Sequence, residues 1–569
     1  MEQLPKKPSI TSPKQAEAML KRVNELICSR VERESEKAAW LTKRSELETA
    51  FQQEVADHLI PHSASLHGML FDHRVFSSEF EGRWRDAMHQ LDACQAALWP
   101  VAEHAPTRAV LWQAQVLARH NVHRRENLRL EHELEELKED YALSREQVRV
   151  DWQKELRHPS ALSDALNARQ RKIRKDAWQE AALAFFRQAP RSEDLFDDLC
   201  GYRRDIAESV NHDTYYSYLQ AKTHQRLPSR REMNRTADAL KTWMVPLARE
   251  RDHLLCNALS IEKLHPWDSQ APSLKGPPFL ADRPRDMIPI VDRLLAAMDG
   301  ELHDWFRHLV DQNCLDLEAR ADKLPGCHLL VRSPDQPPFL SLNLTASRED
   351  LHRLLHYLGR AFHLSIGSQQ PYAANRAPGL EILEASATAF ELLTLPYWNH
   401  LFNDPDHVKE AQRAYLEQII YRINHLAAVD QFEHEVLTHR DLDAHDRCDI
   451  WVSLDNEFGR ALDWRSVEHL HGVEWHNFSH LFLAPYSSGA RLRANLAALS
   501  LWRISEQDNR AHALERYKKS LRLNGLTPAV EFYRQWRRPL FSVDQLAADL
   551  AVYLRERDAA PGRGRDPGT

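Results

Sequence analysis

Apolar residues recur every three to four positions along most of the chain, the spacing of amphipathic helices rather than strands. From about Ser12 to Asp151 this pattern predicts a succession of long helices. In RRENLRLEHELEELKEDYALSREQ, Leu128, Leu130, Leu134 and Leu137 lie near helical spacing and charge fills the rest, as on a helix with one buried stripe and a solvated face. Strand character first shows in KLPGCHLLVRSPDQPPFLSLNLT, where His328–Arg332 and Phe339–Leu344 flank a Pro-rich turn, predicting one small β-sheet near residues 325–345. Helical periodicity resumes at Ser347 and runs to about Arg555. There is no internal repeat and no low-complexity linker. The expected fold is all-α, with an N-terminal helical lobe over 1–200, a second lobe over 201–555 and a flexible tail over 556–569.

One helix carries the chemistry. Ser347-Arg-Glu-Asp350 is a capping box, so a helix starts there. At about 100° per residue Leu351, Leu354, Leu355, Leu358 and Phe362 form one core-facing stripe. His352, His356, Gly359 and His363 fall together on another side, with Arg360 beside them. Histidines four residues apart can chelate a metal from one helix face. A chain with 31 histidines also produces such pairs by chance, so spacing alone leaves the point open.

The segment His356–His363, HYLGRAFH, resembles the zinc helix of the thimet oligopeptidase and oligoendopeptidase F family, which reads H-E-x-G-H-A-x-H. The family's next glutamate follows about 28 residues on, in a helix with another glutamate seven residues later. PGLEILEASATAFELL supplies Glu381, Glu384 and Glu391 at those intervals. LHPWD (Leu264–Asp268), DLEARADKLPG (Asp316–Gly326) and PPFLSLN (Pro337–Asn343) resemble further landmarks in the same order, and His480 and Pro485 sit where the family has a histidine and then a tyrosine-rich segment. The likeness spans most of the chain and is strongest to the oligoendopeptidase F branch. It implies two helical lobes enclosing a deep central channel, and a small sheet whose edge strand pairs with an extended peptide. Phe339, Leu340, Ser341, Leu342 and Asn343 are the residues expected there.

The departures from that pattern all concern one reaction. His356 matches the first zinc-ligand histidine and Glu384 the glutamate ligand, but Arg360 replaces the second histidine and Tyr357 the general-base glutamate. Arginine as a residue type offers no lone pair to a metal, and a phenol is a poor base at neutral pH. Where relatives read P-F-Y-Y-I-D-Y, whose tyrosines resemble an oxyanion stabiliser, this chain reads Pro485-Tyr-Ser-Ser-Gly-Ala-Arg491, placing Ser487, Ser488 and Arg491 at tyrosine positions. A lost oxyanion donor alone costs about 10²–10³ in rate. The Gly-Gly-Tyr after the family's Lys-x-Pro is altered to Gly326-Cys327-His328.

The expectation is therefore a pseudopeptidase that binds a peptide or partner protein without metal-dependent hydrolysis, with no metal or other cofactor. Arg360 either fills the metal's place against Glu384, with Glu381 or Glu391 nearby, or points to solvent. A His352/His356/Glu384 metal site stays open beside it. His352 and His363 lie about 16 Å apart along the axis and cannot share an ion. A non-hydrolytic or non-metal reaction on a peptide-like substrate is the alternative function, and a scaffold whose channel is vestigial is a third.

Composition narrows the partner class. A formal charge of −8 argues against a general nucleic-acid binder. Seven scattered cysteines without a C-x-x-C pair suit a reducing compartment, no run approaches 18 apolar residues, and the N-terminus lacks a signal-type apolar core, so a cytoplasmic protein that avoids membranes is expected. Trp40, Trp84, Trp112, Trp152, Trp178 and Trp267 are too widely spaced for a binding stripe and read as core.

Overall fold

The computed structural model describes residues 13–62, 82–224, 226–269, 271, 281–320, 323, 327–331, 334–402, 404–523, 525–536, 540 and 542–558. Of the tail expected over 556–569, residues 559–569 lie outside this set. The principal helices are α1 (Pro13–Ile27), α2 (Glu34–His62), α3 (Gly82–Leu98), α4 (Val110–Val122), α5 (Asn127–Glu146), α6 (Ala189–Glu208) and α7 (Arg230–Leu259) in the N-terminal part. They continue with α8 (Arg348–Gly367), α9 (Leu380–Thr394), α10 (Pro405–Thr438), α11 (Ser487–Gln507), α12 (Arg510–Leu521) and α13 (Val543–Asp558). Among the described residues, no helix is long and apolar enough to cross a membrane.

The fold is predominantly helical, but its β-structure exceeds the expectation. Strands β1 (Val150–Trp152) and β2 (Glu155–Arg157) form an antiparallel hairpin, too short to leave a periodicity in the sequence. The second sheet holds β3 (Leu315–Glu318), β4 (Cys327–Leu330) and β5 (Phe339–Leu344) in the order β3-β5-β4. β5 runs parallel to β3, with Leu315 opposite Leu340, and antiparallel to β4, with Cys327 opposite Leu342.

This order corrects the placement of the peptide-pairing strand. Both sides of β5 are occupied, so Phe339, Leu340, Ser341, Leu342 and Asn343 cannot receive a further strand, and Leu340, Ser341 and Leu342 are buried. The edges belong to β3 and β4. The buried Lys323 joins the sheet's layers by donating from Nζ to the carbonyls of Asp316 (3.0 Å), Glu318 (3.1 Å) and Leu342 (2.7 Å).

The core is divided. Trp40, Trp84, Trp99 and Trp112 pack with Leu41, Leu91 and Val116 into an N-terminal cluster among α1–α4. A much larger apolar cluster runs from Val122 to Leu554. Helix α6 crosses the expected boundary at residue 200, and its buried Leu195, Phe196, Leu199 and Ile206 belong to the larger cluster. At the other end α13 runs to Asp558, whose carboxylate accepts from Arg251 at 2.5 and 2.8 Å, so 556–558 are tied down. Trp40, Trp84, Trp112 and Trp267 are buried, whereas Trp152 and Trp178 are half-buried.

The central helix begins as its sequence dictates. Ser347 Oγ accepts from the Asp350 N–H at 3.2 Å, and Asp350 Oδ2 accepts from the N–H groups of Ser347 (3.2 Å) and Thr345 (2.6 Å), which satisfies one first-turn donor and fastens the chain entering the helix. Leu351, Leu354, Leu355, Leu358 and Phe362 are all buried. The opposite side meets α9 at close quarters. A Cβ on Gly359 would lie 2.9 Å from Ala387 Cα and 2.9 Å from Phe390 Cβ, so only glycine permits this approach. Helix α9 is apolar nearly all round and buried from Glu384 to Thr394, wedged between α8 and α11. That geometry presses any polar side chain on its α8-facing side into a small, partly dry space.

Candidate functional site

His356 and Arg360, one turn apart on α8, meet Glu384 and Glu391, two turns apart on α9. Glu391 Oε1 lies 2.7 Å from His356 Nδ1, and Glu391 Oε2 accepts from the Tyr415 hydroxyl of α10 at 3.0 Å. The other ring nitrogen, Nε2, lies 3.4 Å from Glu384 Oε2. Arg360 Nη2 donates to Glu384 Oε1, and Arg491 of α11 brings its Nε to 3.9 Å from that same oxygen. The guanidinium of Arg360 also lies over the Tyr357 ring, 5.1 Å from its centroid. Glu384 and Glu391 are buried, while the side chains of His356, Arg360 and Arg491 are 17%, 19% and 34% exposed, so the cluster opens to solvent on its cationic side.

The electrostatics follow from these contacts. Burial opposes the charge on Glu384, but His356, Arg360 and Arg491 outweigh it and hold its pKa down to about 2. Glu391 is likewise held below the usual carboxylate range against burial, chiefly by His356. Burial opposes protonation of His356 as well, yet its two carboxylates prevail and raise its pKa above that of a free imidazole. Each carboxylate is thus fixed as an anion by a named cation or hydrogen-bond donor.

The donor set does not fit a zinc ion. Among the described residues no group of three or more His, Cys, Asp or Glu side chains is arranged to hold a metal. Glu384 Oε1, one of the oxygens a metal would need, already accepts from a guanidinium, and Arg360 can itself coordinate nothing.

Tyr357 is no base. Its hydroxyl donates to the Cys327 carbonyl of β4 at 2.9 Å, fastening α8 to the sheet edge, and burial pushes the phenol pKa up. Burial raises the thiol pKa of Cys327, which disfavours its thiolate.

The remaining candidates disperse. His352 stacks on Tyr415, with ring centroids 4.4 Å apart, and does not join His356 and Glu384. His363 is buried, donates from Nδ1 to Ser386 Oγ at 2.8 Å (that hydroxyl donates onward to Ile382 O), and burial drives its pKa down to about 3. Glu381 faces away from Arg360. It accepts from Arg493 at 2.6 and 2.9 Å and from the Tyr533 hydroxyl at 3.2 Å. His480 is kept neutral, its pKa driven down to about 3 by burial with Arg491 adding to the effect.

Ser487 and Ser488 are buried at the start of α11, where Tyr486 takes a left-handed φ of 64° and donates its N–H to Glu433 of α10. A Cβ on Gly489 would lie 2.4 Å from Asp430 Oδ1, so this end of α11 is pressed against α10. Of the three altered tyrosine positions, Arg491 is the one that reaches Glu384. Sequence reading named that residue without its partner, and it missed Tyr415, which lies mid-helix in α10 with no motif around it.

No family model matches the chain, and no curated protein sequence matches it. Solved structures do. PZ peptidase A, determined with an inhibitor, superimposes with a TM-score of 0.87 at 17% identity over 97% of this chain and 99% of its own. A structure provisionally designated oligoendopeptidase F gives 0.87 at 19% identity, covering 98% of each chain. One so designated from Bacillus anthracis str. Ames gives 0.82 at 15% identity, over 98% and 99%. At these identities the likeness establishes a shared fold over 97–98% of the chain.

Proposed function

We propose that this chain is a member of the oligoendopeptidase F and thimet oligopeptidase family that has exchanged its zinc site for an ion pair and binds peptides without hydrolysing them. The observation that carries this reading is the Arg360 guanidinium on Glu384. Hydrolysis in that family needs a metal ligand at position 360, a general base at 357 and tyrosine hydroxyls near 487–491. Here those positions hold a cation bonded to the remaining carboxylate, a phenol bonded to a backbone carbonyl, two buried serines and a second arginine. Neither Tyr357 nor Arg360 offers a base to deprotonate a water at the positions the family uses.

Retention of the fold supports binding as the surviving role. Residues that relatives use for chemistry have been refitted to hold α8, α9, α11 and the sheet edge together, and the cationic side of the cluster still faces solvent. The test is a randomised nonapeptide library incubated with the full chain, with and without added zinc. Retained, intact peptides support the proposal. Cleavage that disappears in His356→Ala overturns it.

A further inference from the structure

Charge at the site is not balanced locally. Glu391 is held by His356 and Tyr415, and Glu384 by Arg360. Among the described residues Arg491 has no carboxylate within hydrogen-bond distance. It approaches Glu384 Oε1 to 3.9 Å, beyond hydrogen-bond range, and its side chain is the most exposed of the cluster at 34%. Arg360, for its part, bonds Glu384 through Nη2, while its Nε–H is buried without an acceptor. Two guanidiniums, with five N–H donors each, therefore converge on one carboxylate oxygen that cannot satisfy both. An exposed arginine normally loses little by remaining solvated. One beside a second guanidinium and over a partly buried floor gains from an incoming anion, because planar two-point bonding to a carboxylate is the geometry its fork offers.

We propose that Arg491, with Arg360 behind it, is a receptor for a carboxylate group of a bound peptide, seated on the solvent side of Glu384. This rests on the peptide-binding reading above and specifies what that site selects. The carboxylate is either a free C-terminus or an acidic side chain, since both present the same two oxygens.

The experiment compares three matched randomised nonapeptide libraries: free C-terminal acid, C-terminal amide, and amide with a central glutamate. Each is passed over immobilised full-length protein, and retention is quantified by mass spectrometry for wild type, Arg491→Gln and Arg491→Lys. Expected is retention of the free-acid or the central-glutamate set about tenfold above the plain amide set, the size of one charge-assisted hydrogen bond. Whichever set is preferred identifies the source of the carboxylate. Arg491→Gln should abolish the preference, Arg491→Lys should keep part of it, and added salt should weaken it. Equal retention of all three sets, or a loss in Arg491→Gln shared equally by them, overturns the receptor. Equal retention of intact peptides does so without touching the proposed function. Cleavage together with an Arg491-dependent preference overturns the proposed function and leaves the receptor standing. Retention of none of the sets overturns both.

Discussion

Arg360 on α8 and Glu384 on α9, 24 residues apart in sequence, meet through Nη2 and Oε1 at the crossing of two nearly buried helices. Removing one partner of such a pair leaves the other charge poorly solvated. Arg360→Ala should therefore lower stability by about 3 kcal/mol, since Glu384 is the more deeply buried partner. Glu384→Gln should cost less, because Arg360 can turn toward water. The double variant should be more stable than the sum of the two losses implies. Urea denaturation of the four proteins measures the coupling, and additive losses would mean that the two side chains do not interact.

Arg360→His should create a metal site. It places histidines at i and i+4 on one face of α8, opposite a carboxylate already in position, and this is the donor set zinc favours. The variant should take up about one zinc per chain by elemental analysis after dialysis. It should still cleave no peptide, because Tyr357 remains bonded to Cys327 O and is no base.

Gly359 sets the distance between α8 and α9. Gly359→Ala introduces a Cβ 2.9 Å from both Ala387 Cα and Phe390 Cβ, and backbone on one side cannot yield as a flexible side chain would. The expected cost is about 1–3 kcal/mol, despite the higher helix propensity of alanine. Thermal melting of the variant checks this, and a raised Tm would show that the helices are free to separate.

A second cluster predicts a pH dependence. Burial pushes the pKa of Glu433 up to about 8, against the Tyr486 N–H that favours its charge, and that of Asp430 up to about 6, against Arg493 and Arg230. A carboxyl group with a folded pKa above its unfolded value binds more protons when folded, so its effect on stability is neutral below the unfolded value and becomes a loss as pH rises through the folded one. Wild type should lose stability relative to Glu433→Gln between about pH 5 and pH 8, with a constant difference above pH 9. Glutamine keeps an oxygen for the Tyr486 N–H. Melting curves of the two proteins across that range provide the comparison, and parallel curves would contradict it.

The helices, the capping box at Ser347 and the buried leucine stripe of α8 were legible because each depends on local spacing. The sheet was half legible. Phe339–Leu344 reads as a strand, but nothing in its pattern says whether its neighbours lie on one side or both, and the parallel partner Leu315–Glu318 is too short to show a period. Within the site, resemblance to a known family brought His356, Arg360 and Glu384 together across segments that no periodicity could link. It could not foretell that Glu381 would turn to Arg493 and Tyr533, or that His352 would stack on Tyr415, because those outcomes are decided by packing against α10 and α11. Arg491 stood in plain view at an altered tyrosine position, and only the fold shows that it and Arg360 approach the same carboxylate oxygen.

The proposed function puts a guanidinium where the family holds a metal. Its most direct test is the zinc content of the full chain, purified without chelators and dialysed against micromolar zinc, beside His356→Ala treated identically. The same substoichiometric content is expected in both proteins. One tightly held zinc per wild-type chain, lost in His356→Ala, would contradict it.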